Sequence, residues 1–340
     1  MRHTFLVVIV AAGLVLAGCA GAPTDADVDP TTDSDGGTGS QSDPVDGELE
    51  IHHLDVGQAD ATLLITPADE TVLVDTGDWR DDGEDVVASL ERLGIDRVDH
   101  LVTTHPDADH VGGHAAVIDH VEANGDGVGA VYDPGIVRTT ATYDQYLDAV
   151  ERHDVPLYEV REGDELPIEG IQATVLSPPE GGADPRGDGI VLAIEFGSFR
   201  YLTTGDAESD VERRLVDDWS HELAADVYQA GHHGSSTSST PPFLDAVSSE
   251  VVVISSALDS QYGHPHDEVL AAFAERGIET YWTAVHGDVV VTTDGEDVDV
   301  ETERSGPTDA TALLERKHEA ASASLGRPPI DVTGVPTGGR

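Results

Sequence analysis

The sequence predicts an α/β chain folded as a two-sheet sandwich with helices on the outside. Three observations carry this. The folded part opens on short alternating stretches that read as antiparallel strands. Its middle alternates helix-period and strand-period stretches. It closes on further hairpin-type stretches. No internal repeat of short fixed period competes with this reading.

Leu49–Asp55 alternates and reads as a strand. Ala61–Thr66 and Thr71–Asp75 follow as two more, joined by a turn at Pro67-Ala68-Asp69-Glu70. Glu84–Leu93 has helical spacing and stops at Gly94. Val98–Thr103 is a strand and Gly112–Val121 a helix. Ala130–Tyr132 is a short strand, Tyr143–His153 a helix, and Leu157–Val160 and Ile171–Leu176 are strands. Ile190–Phe196 and Arg200–Thr204 form a hairpin across Gly197-Ser198. The stretch from Val211 to Asp217 is a helix, Ala225–Gln229 a strand, Phe243–Val247 a short helix and Val251–Ile254 a strand. Asp267–Arg276 is a helix ending at Gly277, and Thr280–Trp282, Val289–Thr293 and Val298–Glu301 complete the sheets.

The folded domain therefore runs from 48 to 302. Residues 1–19 precede it with Arg2 and His3, an apolar stretch from Phe5 to Ala17, and Leu16-Ala17-Gly18-Cys19. That is the pattern of a signal peptide. Its ending resembles a lipobox, which makes Cys19 the lipidation site and places the protein outside the cell membrane, tethered to its outer face. Cys19 is the only cysteine, so no intrachain disulfide forms. Residues 20–47 are acidic and almost free of apolar side chains, and read as a disordered linker. Residues 303–340 are charge-neutral and rich in Pro and Gly at their end. Thr311–Ser324 is compatible with a helix, but a disordered tail is the preferred reading.

The 340 residues carry a formal net charge of -50, and Lys317 is the only lysine. Such a surface fits life at high salt, where the Debye length falls to about 3 Å at 1 M. Net charge therefore does not exclude a polyanionic substrate.

Chemistry concentrates in Thr103–Gly113. His105, Asp107, Asp109 and His110 stand at i, i+2, i+4 and i+5, directly after the apolar pair Leu101-Val102. Imidazole and carboxylate in that density suit a divalent metal such as zinc or manganese. Three more polar outcrops each follow a strand: Thr204-Gly205-Asp206, Gly231-His232-His233-Gly234-Ser235-Ser236 and Tyr262-Gly263-His264-Pro265. Ligands at successive strand ends can converge on one edge of a sandwich.

These residues resemble the metallo-β-lactamase superfamily and, within it, the soluble hydrolase domain of the ComEC/Rec2 competence proteins. The match includes Leu54–Ala61, Val74–Gly77, His105–Gly113, Thr204–Asp206, Gly231–Ser235 and Gly263–Pro265, in the family's order. The competence proteins' membrane-channel part has no counterpart in the sequence, so the chain resembles a stand-alone, exported version. The resemblance implies an αββα sandwich with two divalent ions between the sheets. His105 and Asp107 would hold the first, Asp109 and His110 the second, and Asp206 would bridge them. His232 or His233 would complete the second site. Asp109 and His264 take catalytic roles, His264 as late ligand or as proton donor. Two departures stand out. Asp107 replaces the usual second histidine, which favours Mn or Mg. No histidine lies between His153 and Asp206, so the first site lacks its third ligand; either Asp188 substitutes or only one ion is held tightly. Asp75 would orient a ligand imidazole. Ser235, Ser236 and Tyr262 would line the substrate side, while Asp55 and Asp60 are as consistent with solvated positions.

The resemblance implies a metal-activated water cleaving a phosphodiester, with DNA as partner. A hydrolase of a small ester, lactone or amide is the alternative, because a fold does not set a substrate. A surface binding module with a degenerate metal site is the reading from another class. Arg80, Arg138, Arg186 and Arg200 are the candidate phosphate-binding cations.

Overall fold

The computed structural model describes residues 47–181 and 188–325. The signal peptide, Cys19, residues 20–46 of the linker, Arg186 and residues 326–340 lie outside them.

Strands β1 (Leu49–His53), β2 (Thr62–Ile65) and β3 (Thr71–Val74) form an antiparallel meander. Helix α1 (Glu84–Leu93) then crosses over to β4 (Arg97–Val102), which pairs parallel to β3. Helix α2 (His114–Asn124), β5 (Gly127–Asp133), α3 (Ala141–Arg152) and β6 (Leu157–Glu159) repeat that parallel step.

The chain then builds a second sheet. It begins with β7 (Glu165–Leu166), β8 (Gln172–Ser177), β9 (Val191–Phe196) and β10 (Phe199–Thr203), paired antiparallel. Helix α4 (Ser209–Asp218), β11 (Val227–Gln229), α5 (Pro241–Val247), β12 (Val251–Ile254), α6 (Asp267–Arg276) and β13 (Glu279–Trp282) extend it in parallel. After the short α7 (Thr283–His286), β14 (Val289–Thr293) and β15 (Val298–Thr302) return to the first sheet beside β1. The sheets thus have the orders β15-β14-β1-β2-β3-β4-β5-β6 and β13-β12-β11-β10-β9-β8-β7.

Strand alternation decides the layers. Ile51, Leu64, Val72, Val74 and Val102 from the first sheet meet Val175, Leu192, Ile194, Tyr201 and Val253 from the second in one buried core. The opposite face of the first sheet, with Leu63, Leu73 and Leu101, packs on Val86 and Leu90 of α1, Val117 and Ile118 of α2 and Tyr146 of α3. The outer face of the second sheet, with Leu202, Val252 and Ile254, packs on Leu215, Phe243, Leu270 and Phe273. Two sheets between two helical layers is the expected αββα sandwich. Leu101 is fully buried; truncating such a leucine to alanine costs about 2–5 kcal/mol.

One expectation changes. The tail is folded as far as it is described: α8 spans Ala310–Leu325, with Ala310 and Leu313 buried against the second helical layer. Asp309 caps it by accepting from the Ala312 amide at 3.0 Å. Thr280 N donates to Thr308 O, which pins the tail to the edge strand β13. Lys317 and His318 reach Asp267, at the start of α6, at 2.6 and 2.8 Å. The proline and glycine content that argued for disorder lies beyond this helix. No described helix is long and apolar enough to cross a membrane.

Candidate metal centre

Parallel pairing puts the C-terminal ends of β3, β4 and β5, and of β10, β11 and β12, at one edge of their sheets. Each functional loop leaves from there. The His105–His110 loop is gripped through its backbone carbonyls: Thr76 N donates to His110 O, Asp60 N to Asp109 O and Trp79 N to Ala108 O, at 2.8–3.1 Å. Gly112 permits this grip, since a Cβ there would stand 2.2 Å from the Asp78 carbonyl carbon and the Trp79 nitrogen.

Asp206 follows β10, and its neighbour Gly205 accepts a hydrogen bond from the His232 amide at 2.9 Å. His232 and His233 both adopt left-handed backbone, at φ 51° and 56°. Each such residue stores strain of about 1–3 kcal/mol. Two in succession splay the rings, whose centroids are 6.2 Å apart.

The result is a cluster divided by Asp206. Its Oδ1 faces His110 Nε2 at 3.3 Å and His233 Nε2 at 3.8 Å. Its Oδ2 faces His232 Nε2 at 3.4 Å and His105 Nε2 at 3.6 Å. Asp109 joins the first group, 3.5 Å from His233 Nε2, and Asp107 the second, 3.8 Å from His105 Nε2. Ligand-capable atoms of Asp60, His110, Asp206 and His233 all lie within 4.8 Å of one another.

The far nitrogens are fixed by partners, which leaves Nε2 facing inward. His110 Nδ1 sits 2.7 Å from Asp75 Oδ2. Asp75 also accepts from Thr104 N and Thr104 Oγ1 at 2.8 and 2.5 Å. His233 Nδ1 donates to Ser255 O at 3.0 Å, with Asp60 Oδ2 at 3.6 Å. His232 Nδ1 is 3.2 Å from Thr237 Oγ1, and His105 Nδ1 is 3.1 Å from Thr104 Oγ1.

Charge follows from this arrangement. Burial opposes ionisation of Asp206, yet His110, His233 and His105 outweigh it and hold its carboxyl well below the usual range. Burial likewise opposes charge on His110, but Asp206 and Asp75 raise its pKa well above the ordinary value. His233 behaves alike: Asp60 and Asp206 overcome burial and push it up to about 9. His105 is lowered, first by burial and then by His110. The pocket is thus short of positive charge, and protons on two imidazoles supply it. A divalent cation supplies the same charge and displaces those protons. Nε2 of His105, His110 and His233 and Oδ1 of Asp206 are buried without a hydrogen-bond partner. An unpaired buried polar atom costs about 1–3 kcal/mol, and those of His110, His233 and Asp206, gathered on one side of the cluster with His105 on the other, fit a metal with imidazole and carboxylate ligands.

The structure brings His105, Asp107, Asp109, His110, Asp206, His232 and His233 together. It resolves the choice between the two consecutive histidines differently from the sequence: both face Asp206, on opposite oxygens. His232 therefore stands beside His105 and Asp107, the pair for which the sequence offered no further histidine. Asp188, expected as the substitute there, has its Oδ1 engaged by Arg214 at 3.1 Å. Ser235, expected on the substrate side, is buried and turned onto Thr237 Oγ1 at 3.0 Å; Ser236 is exposed, and its amide donates to His266 Nδ1. Asp55 pairs with Arg304, whereas Asp60 belongs to the cluster. Arg200 pairs with Glu195, a residue of the antiparallel hairpin, and Arg138 reaches Asp107 at 3.3 Å.

His264 stands beside the cluster, its ring 5.6 Å from that of His232 and 5.6 Å from that of Tyr262. Sequence reading missed its partner, Gln58. Gln58 Oε1 accepts from Ala257 N, so its amide nitrogen faces His264 Nδ1 at 3.3 Å. The signal for Gln58 was its place in the Leu54–Ala61 motif, but only the fold brings that motif to His264.

A profile of the metallo-beta-lactamase superfamily matches residues 54–257. The chain is 30% identical over 260 residues to ComE operon protein 3 of Bacillus subtilis, covering 71% of this chain and 33% of that protein. It is 31% identical over 243 residues to Competence protein ComA of Neisseria gonorrhoeae, covering 71% and 32%. The chain thus spans about a third of the length of these relatives. Among solved structures, the metallo-beta-lactamase fold protein YhfI from Bacillus subtilis superposes with a TM-score of 0.47 at 12% identity, over 73% of this chain and 100% of that one.

Proposed function

The chain belongs to the metallo-beta-lactamase superfamily, and from that premise we propose that it is a metal-dependent phosphodiesterase acting on DNA, exported and held at the outer face of the cell membrane through Cys19. The observation that supports it best is the division of the cluster by Asp206, with two imidazoles on each oxygen and one further carboxylate beside each pair of imidazoles. His110, His233, Asp109 and Asp206 would hold one divalent ion, and His105, His232, Asp107 and Asp206 the other. The chemistry such ions supply is Lewis acidity: water acidified to serve as nucleophile, and charge neutralisation on a phosphate. Asp75 and the Ser255 carbonyl fix the tautomers of His110 and His233. Gln58 does the same for His264: an amide donor at Nδ1 leaves the proton on Nε2. Burial first, then the neighbouring imidazoles of His233, His232 and His266, lower His264 to about 4. A neutral imidazole then keeps its proton and offers a hydrogen bond from Nε2 to the charge that develops on a departing oxygen. The resemblance to competence proteins points to DNA as the diester. The scarcity of cations around the cluster is what favours the second reading, a small ester, lactone or amide.

The test uses protein stripped of metal at molar salt, then supplied with Mn, Zn or Mg and offered single- and double-stranded DNA. Metal-dependent cleavage lost in His110→Ala and Asp206→Ala is the expected result. Tight metal binding without cleavage of either DNA would move the assignment to the small-ester class. Export and lipidation are tested separately, by following the full chain and its Cys19→Ser variant into the membrane fraction.

A further inference from the structure

Two large aromatic side chains stand exposed beside the metal centre, one on the loops of each sheet, and the function proposed above uses neither as a ligand. Trp79 is 52% exposed, and its backbone is hydrogen-bonded to Ala108, between Asp107 and Asp109. The Arg80 guanidinium lies 5.1 Å from the centroid of its ring. Tyr262 is 57% exposed, tilted 31° over His264. Core packing explains neither ring. Nor do the two form one apolar face, because the carboxylates and imidazoles of the cluster lie between their loops. Asp78, Asp81 and Asp82 flank Trp79 in sequence, which disfavours burial in lipid.

We infer that Trp79 and Tyr262 are base-stacking residues that select an unpaired nucleic-acid strand, with Arg138 taking one backbone phosphate. The inference rests on the phosphodiesterase reading and names the form of its substrate. A duplex offers phosphates and hides the faces of its bases. Binding it takes many cationic contacts, and among the described residues this rim offers Arg138, paired with Asp107, and Arg80, paired with Asp78. At low salt the rest of a chain of net charge -50 repels the backbone as well. An unpaired strand offers flat ring faces, and base–aromatic stacking is worth about 1–3 kcal/mol per base. Stacking also survives molar salt, which weakens phosphate contacts.

The experiment measures binding by the full chain stripped of metal, so that turnover does not intervene. The probe is a fluorescein-labelled oligothymidylate of about twelve nucleotides, compared with its duplex on oligoadenylate, at low and at molar salt. The expected result is that the single strand binds at least about tenfold tighter than the duplex and quenches tryptophan emission. Trp79→Ala and Tyr262→Ala should each weaken it by about 5- to 100-fold, while Trp79→Phe and Tyr262→Phe restore most of the affinity. Arg138→Ala should lower the salt slope by about 1. Equal affinity for duplex and single strand, alanine variants that bind like the parent, or no binding of either probe would overturn the inference. Hydrolysis of bis(p-nitrophenyl) phosphate by the metal-loaded parent chain reports on the underlying reading separately. Cleavage of that base-free diester without ring-dependent binding overturns the stacking role alone. Ring-dependent binding without cleavage supports the stacking role and overturns the phosphodiesterase reading.

Discussion

The two halves of the cluster share Asp206 and little else. On one side, the rings of His110 and His233 are almost fully buried, and their outer nitrogens rest on a carboxylate and a backbone carbonyl. On the other, His232 and Asp107 keep 29% and 52% of their side-chain surface exposed, and His232 and His105 lean on threonine hydroxyls, with the half-exposed Glu208 carboxylate 3.6 Å from His232 Nδ1. A carboxylate behind an imidazole raises its basicity and fixes its orientation, and a hydroxyl does so weakly. On the two-ion proposal, the buried half would grip its ion and the exposed half would hold one while leaving access to solvent and substrate.

Removing what the halves share gives the largest effect. Asp206→Ala should cost both ions and, with several kcal/mol of charge stabilisation lost, reduce hydrolysis on the order of 10³-fold. Metal content after dialysis and initial rates check this together. His233→Ala should next remove the tighter ion, whereas His232→Ala should leave it bound and abolish only the weaker event. Equal losses in the two variants would erase the distinction between the halves. Asp75→Asn keeps the size of the group behind His110 but removes its charge. It should lower metal affinity about 10- to 100-fold, and competition against a chelator measures it.

A last effect, on stability and not on the metal, separates buried histidines inside and outside the cluster. His114 is fully buried between Thr76 Oγ1 at 2.6 Å and Thr103 Oγ1 at 2.9 Å. Burial lowers it to about 4. A depressed folded-state value means the neutral ring is the stable one. Its contribution is complete above the ordinary value near 6.5 and is lost as pH falls toward 4, on the order of 3 kcal/mol in all. Urea midpoints of the metal-free protein between pH 8 and pH 4 should fall accordingly, and His114→Gln should flatten part of that slope.

Much of this was legible in the sequence because strand ends and glycines leave local marks. The alternation of Leu49–Asp55 and the stop at Gly94 each predict what stands there, and the His105–His110 spacing marks side chains that the fold gathers around Asp206. What was not legible depends on two distant segments meeting. The separation of His232 from His233 arises from two successive left-handed residues, a backbone state that no side-chain pattern announces. The place of Asp60 behind His233 requires the two sheets to close on each other. The helix Ala310–Leu325 carries a weak apolar pattern, and burial of Leu313 with the Lys317–Asp267 pair is what settles it on α6.

The most direct test of the divided cluster is a calorimetric titration of the metal-stripped chain with Mn, run in parallel on His232→Ala and His233→Ala. Two binding events of different affinity are expected in the parent, the tighter one alone surviving in His232→Ala and lost in His233→Ala. A single event in the parent, or loss of the tighter event in His232→Ala, would contradict it.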